Sequence, residues 1–242
     1  MMITAVLFDL DGTLRGHFPP GREFFADAAA RLGLEITPED RLRACRWEHY
    51  YWAESPEQSE DRRLNPDSSA FWLNYSRREL IALGASPAQA EEFAPLLRAR
   101  MDSDFQPEDR LLDGAWETLE ILRGQGYQLG IISNRDEPFD DVLARYGLGR
   151  AHFDLLLAAG EINVWKPAPA IFQHALQRME LTPAQAVYVG DNFYADVAGA
   201  RGAGILPILL DPDQIFPEAD CPVIRQLKEL PGLLPGLQKT TA

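Results

Sequence analysis

The sequence predicts an α/β sandwich built on a central parallel sheet, with an all-helical insertion after the first strand. Three observations carry this. Short apolar runs recur along the chain, helical patterns separate most of them, and one long segment breaks the alternation. Strands covered on both faces read as continuous apolar runs, and helices between them favour parallel order.

The first run, Ile3 to Phe8, leads into Asp9-Leu10-Asp11-Gly12-Thr13-Leu14 and reads as a buried strand followed by a turn. Gln128 to Ser133, Phe153 to Ala159, Ala186 to Gly190 and Ile205 to Leu210 are further strands. The helical patterns are Leu111 to Arg123, stopped by Gly124 and Gly126; Asp140 to Tyr146, stopped at Gly147; Ala170 to Met179; and Ala195 to Ala203. The stretch from Gly16 to Glu108 shows no strand pattern but repeated helix starts. Thr37-Pro38-Glu39-Asp40 supplies a cap, a proline at the first helical position and acid in the first turn. Ser86-Pro87 repeats the device, and Asp67-Ser68 opens a helix that stops near Gly84. About four helices are expected there. The predicted division is residues 1–15 and 109–242 as the core and 16–108 as the insertion, with a frayed tail after Lys239.

The chain has 242 residues, 46% hydrophobic and 25% charged, an ordinary globular composition. It holds no uncharged apolar run of about 18 residues and no basic leader, so a cytoplasmic protein with no membrane partner is expected. Cys45 and Cys221 lie in no ligand spacing, which argues against zinc. A net charge of -14 argues against nucleic-acid partners. It also means that an anionic substrate needs a locally cationic site: a metal, a lysine or helix N-termini. A monomer or homodimer is expected.

Four motifs carry chemistry. In the first, Asp9 and Asp11 stand two residues apart at a strand end, so one can act as nucleophile while the other handles protons. A calcium loop does not fit, since its glycine belongs at the sixth position and a glutamate at the twelfth; here glycine is fourth and Pro20 twelfth. In the second, Ser133 ends an apolar strand, where a small hydroxyl can donate to a phosphoryl oxygen; alone, it would be an ordinary cap. In the third, Lys166 is one of three lysines, and Lys228 and Lys239 lie near the C-terminus. Lys166 is thus the lysine available to a core site, as a compact charge for a phosphoryl group. In the fourth, Asp191 ends a strand and Asp196 follows near a helix start; such hard oxygen ligands suit Mg²⁺, although Asp196 alone could be a helix-start acid. Together these strand ends deliver acid, hydroxyl, lysine and acid to one sheet edge, where open α/β sheets bind ligands.

In order and spacing, these motifs resemble those of the haloacid dehalogenase-like (HAD) superfamily of hydrolases. The resemblance covers the whole chain and is densest at Asp9 to Leu14, Leu112 to Arg135, Lys166 to Phe172 and Tyr188 to Ile205. It implies a Rossmann-like core with the helical insertion as a cap. It implies Asp9 as nucleophile and Mg²⁺ ligand, and Asp11 as general acid/base and, through its backbone carbonyl, a further ligand. Ser133 is implied to bind the phosphoryl group, with Asn134 nearby. Lys166 is implied to steady the nucleophile and the phosphoryl charge, Asp191 to bind the metal, and Asp196 to act behind the ligands or through a water. Lys166-Pro167-Ala168-Pro169 departs from the pattern, with alanine where an acid is frequent.

The expected reaction is Mg²⁺-dependent hydrolysis of a small-molecule phosphomonoester through an aspartyl-phosphate. A 2-haloacid dehalogenase needs no acid for its halide and usually lacks the second aspartate. Schiff-base phosphonate hydrolysis needs a cap lysine, and residues 16–108 contain none. A sugar-phosphate mutase shares the acid pair and stays open; a non-catalytic scaffold has no use for all four motifs. Trp47, Tyr50 and Tyr51 fall on one helix face, with Trp52, Phe71, Trp72 and Tyr75 close by in sequence. They read as core packing of the insertion. The sharper reading is a substrate pocket contacted by Arg43, Arg46 or His49.

Overall fold

The computed structural model describes residues 2–64 and 68–240. Asp67, the expected start of one helix, and residues 241–242 of the expected frayed tail lie outside them. In chain order the elements are β1 (Ala5–Phe8), β2 (Arg15–Phe18), α1 (Gly21–Arg31), α2 (Pro38–Tyr51), α3 (Pro56–Leu64), α4 (Ser68–Ala82) and α5 (Pro87–Asp104). Next come β3 (Glu108–Leu111), α6 (Ala115–Gly124), β4 (Gln128–Ser133), α7 (Asp140–Ala144), β5 (Leu155–Ala158) and α8 (Pro169–Arg178). The chain closes with β6 (Ala186–Gly190), α9 (Ala198–Gly202), β7 (Leu206–Leu210), β8 (Val223–Ile224) and α10 (Leu230–Thr240). The chain forms two compact units, Met1–Gly16 with Arg110–Ala242, and His17–Asp109.

The first unit is a Rossmann-like three-layer α/β sandwich. Its six strands run parallel in the order β5-β4-β1-β6-β7-β8. Side chains alternate across each strand. Val6, Phe8, Leu129, Ile131, Val187 and Val189 pack on one face with Leu119 and Leu122 of α6 and Leu230 and Leu234 of α10. Ala5, Leu7, Ile132 and Tyr188 pack on the other with Ile171, Phe172 and Leu176 of α8 and Ala200 of α9. Both faces are covered, which is why the strands read as continuous apolar runs. Phe8 pairs with Ile131 and Val189, so β1 ends between β4 and β6, and the three strand ends share one edge.

Two expectations are corrected. β2 and β3 form a separate two-stranded sheet. Their sequences, Arg-Gly-His-Phe and Glu-Asp-Arg-Leu, are too short and polar to show a strand period. The helix expected to begin at Leu111 begins at Ala115, because Leu111 belongs to β3.

The second unit contains five helices among the described residues, α1 to α5, where about four were expected from start signals alone. Thr37 and Asp40 cap α2 reciprocally, and Ser86 and Gln89 cap α5 in the same way. The expected aromatic face is split: Tyr51 is fully buried, Trp47 is partly buried and Tyr50 is exposed. Tyr51 packs within 5.1 Å of the ring centroids of Trp47, Trp52 and Tyr75. Its hydroxyl donates to Asp61 Oδ2 at 2.9 Å. Arg78 donates to both Asp61 oxygens, and Asn74 donates to Oδ1. Arg43 binds Ala82 O and Asp40 inside this unit. Asp61→Ala should therefore destabilise the helical unit by about 3 kcal/mol, because it leaves the buried Tyr51 hydroxyl without its acceptor and removes the buried carboxylate from Arg78, which among the described residues keeps only Glu57 and Glu60. A denaturant midpoint unchanged from wild type would refute that role. No described helix is long and apolar enough to cross a membrane.

Candidate active site

Asp9 directly follows β1, its N–H donating to Val189 O on β6. The turn after it is tight. Gly12 has φ +97, and a Cβ there would lie 2.4 Å from Asp191 Oδ2. Glycine thus serves both the left-handed backbone and the close approach of the two loops. Thr13 joins them: its hydroxyl donates to Asp191 Oδ1 at 3.2 Å and accepts from Asp191 N–H at 3.0 Å. Gly190 has a similar spatial role, since a Cβ there would lie 2.3 Å from Asp196 Oδ2. Asp196 lies in a π-helical turn, Phe193–Val197, opened by the Asn192 side chain, which accepts from Tyr194 N and Ala195 N. Such turns often occur at functional sites.

Lys166 is 2% exposed. Its ammonium donates to Asp9 Oδ1 at 2.6 Å, Asp196 Oδ1 at 2.7 Å and the Tyr188 hydroxyl at 3.1 Å. Those three bonds use its three hydrogens. The Tyr188 hydroxyl in turn donates to Ile132 O at 3.0 Å. The ammonium is held as a fixed charge beside Asp9, and Lys166 is a buried residue. Burial opposes its charge, but Asp196 and Asp9 outweigh that and hold its pKa well above the ordinary lysine value.

Asn134 is spent on this arrangement. Its Oδ1 accepts from Lys166 N at 2.7 Å and its Nδ2 donates to Lys166 O at 2.9 Å. Both ends of the amide clamp the backbone of Lys166, so Asn134 positions the lysine where a phosphate contact was expected. Ser133 is buried at the end of β4, on the same edge as Asp9.

Asp9, Asp191 and Asp196 offer carboxylate oxygens that all lie within 4.8 Å of one another, a group that could hold a metal ion. Asp9 Oδ2 is buried and has no hydrogen-bond partner among the described residues. Burial first, tempered by Lys166, pushes Asp9 up to about 7; burial and then the charge of Asp9 push Asp191 up to about 7. Three carboxylates share one ammonium here, and a divalent cation would supply the missing charge. A group made only of hard carboxylate oxygens suits Mg²⁺. Asp196 spends Oδ1 on Lys166 and Oδ2 on Asn192 N–H, which suits it to anchor the others.

The Asp11 carboxylate lies outside this group. Arg135 Nε donates to its Oδ2 at 2.8 Å and Arg135 Nη2 to its Oδ1 at 3.0 Å, while Arg15 Nη1 donates to Oδ1 at 2.7 Å. The sequence reading missed Arg135, Thr13 and Tyr188. Each carried a faint signal: a cation just past a strand end, a hydroxyl after the turn glycine, and a polar tip inside an apolar strand.

The chain is similar to known proteins along most of its length. Residues 3–204 match the haloacid dehalogenase-like hydrolase family. The chain is 31% identical over 240 residues to haloacid dehalogenase-like hydrolase domain-containing protein 3 of Homo sapiens, covering 98% of this chain and 92% of that one. It is 33% identical over 218 residues to ribulose-1,5-bisphosphate 5-phosphatase of Halopiger xanaduensis, covering 88% and 87%. Among solved structures it resembles 2-haloacid dehalogenase from Pseudomonas syringae pv. Tomato, with TM-score 0.56, 28% identity and coverage of 98% and 100%. The match runs from the strand before Asp9 to the helix after Asp196, and so takes in all four strand-end motifs: this chain belongs to the haloacid dehalogenase-like hydrolase family.

Proposed function

We propose that this hydrolase is a phosphatase that cleaves a small-molecule phosphomonoester through an aspartyl-phosphate on Asp9, with Mg²⁺ as cofactor. The observation that carries this is the divided state of Asp9. Oδ1 is held by Lys166, and Oδ2 is buried without a partner among the described residues, poised for a cation. Relatives named as phosphatases support the reaction class: ribulose-1,5-bisphosphate 5-phosphatase, and phosphoserine phosphatase of Thermus thermophilus at 30% identity.

Phosphoryl transfer asks mainly for positioning and charge stabilisation. Bound by Asp9, Asp191 and the Asp11 carbonyl, Mg²⁺ would screen the nucleophile from an anionic substrate. Asp9 Oδ1 attacks phosphorus as the bond to the ester oxygen breaks, and Asp11 gives that oxygen a proton. Water then attacks the phosphorus of the acyl phosphate, Asp11 takes the water proton, and the Asp9 carboxylate is restored. Ser133 orients a phosphoryl oxygen, and the fixed charge of Lys166 steadies Asp9 throughout. The dehalogenase reading has a structural relative on its side, but it gives no role to Asp11.

Phosphate release should require added Mg²⁺ and be lost on chelation; Asp191→Ala should raise the Mg²⁺ concentration needed for half-maximal rate at least about tenfold. Full activity in chelator would overturn the metal assignment, and halide release from 2-haloacids with no phosphate from any ester would establish the dehalogenase. Asp11→Asn separates acid from nucleophile. General acid–base help is worth about 10² to 10⁴ in rate, so alkyl phosphates should slow by that order. Activated aryl phosphates need little protonation and should still form phosphoenzyme, which then accumulates on the Asp9 peptide in rapid-quench mass spectrometry. Wild-type rates on both substrate types would remove Asp11 from the mechanism.

A further inference from the structure

We propose that Arg135 is a positioning residue for the second half of the reaction, holding the Asp11 carboxylate in place to take the proton of the water that hydrolyses phospho-Asp9. The inference rests on the phosphatase reading above and adds a role for Arg135, to which the sequence reading assigns none.

Asp11 stands on the turn after β1 with its side chain 42% exposed. An exposed carboxylate with two rotatable bonds samples several rotamers unless something holds it. Arg135 does so with a two-point fork: Nε on Oδ2 at 2.8 Å and Nη2 on Oδ1 at 3.0 Å. A bidentate guanidinium fixes the plane of the carboxylate as well as its distance, which a lysine cannot do. Arg15, 5% exposed, donates to Oδ1 as well.

Arg135 reaches Asp11 from 124 residues away in sequence, through the neighbouring strand. It follows Ser133 and Asn134 at the end of β4, and Asn134 clamps the backbone of Lys166. One strand end thus locates both the lysine beside the nucleophile and the arginine beside the proton acceptor. Guanidinium hydrogens bind only acceptor lone pairs, and here both carboxylate oxygens accept. This is the form that takes a proton from water as the new P–O bond forms and the bond from phosphorus to Asp9 Oδ1 breaks. The proton so gained leaves with the ester oxygen of the next substrate.

The test is the steady-state level of phospho-Asp9 during turnover of an activated aryl phosphate, with Mg²⁺ present. In Arg135→Gln, formation should proceed and breakdown should slow, so the phosphorylated fraction should rise at least about threefold over wild type while kcat falls about tenfold, part of the general-base contribution. Arg135→Lys keeps the charge but not the fork, so it should recover at most part of either quantity. A variant that is merely misfolded would lose phosphoenzyme together with rate. Arg135→Gln with an unchanged or lower phosphorylated fraction overturns the proposal, as does a lysine variant that recovers both quantities in full. Asp11→Asn is the control. If it accumulates phosphoenzyme and Arg135→Gln does not, the role of Arg135 fails alone; if neither does, the role of Asp11 fails as well.

Discussion

Asp9→Asn should abolish turnover, lowering phosphate release by roughly 10⁴ to 10⁶, the range seen when a covalent enzyme loses a member of its nucleophilic apparatus. A neutral amide is a poor nucleophile and a poor ligand for a hard cation. The loss should come without unfolding. Burial raises the Asp9 carboxyl to about 7 in the metal-free protein, against about 3.9 in an unfolded chain. A raised acid favours the protonated fold, so its ionisation withdraws stability as pH climbs from about 4 towards 7. The neutral amide avoids that withdrawal. At pH 8 without metal, the thermal midpoint of Asp9→Asn should equal or exceed that of wild type. An active Asp9→Asn enzyme would refute the nucleophile, and an inactive one that is also unfolded would leave no inactive native enzyme to account for.

Lys166→Met should damage both catalysis and folding. Read from sequence, Lys-Pro in a loop makes this a fold-neutral change. The structure reverses that, since the ammonium is buried and pairs with two carboxylates at 2.6 and 2.7 Å. Replacing a buried charge by an apolar chain strands its partners at a cost of about 3–5 kcal/mol. Bound Mg²⁺ would recover part of this by supplying charge to Asp9. Turnover should fall by orders of magnitude even where circular dichroism shows the variant fully folded. Near-normal phosphate release would refute the role of the lysine, and an unchanged thermal midpoint would refute the energetic value of the two pairs.

The difference between those two substitutions marks what each level of structure contributes. Sequence alone determined the α/β class, because a strand covered on both faces must be apolar along its length, and Ile3 to Phe8, Gln128 to Ser133 and Ala186 to Gly190 all are. It also placed Asp9, Ser133 and Asp191 at strand ends, since a polar residue closing an apolar run must lie at the sheet edge. β2 and β3 escaped because four residues, mostly polar, are too few to carry a period. Tertiary structure alone decided the partners. Arg135 and Asp11 are 124 residues apart, and Thr13 and Asp191 are 178 apart. They meet because β1 lies between β4 and β6. The apolar pattern of a strand records that it is buried and does not record which strand lies beside it. For that reason the burial of Lys166, the two-point use of Asn134 and the fork on Asp11 become visible only when the strand order is known.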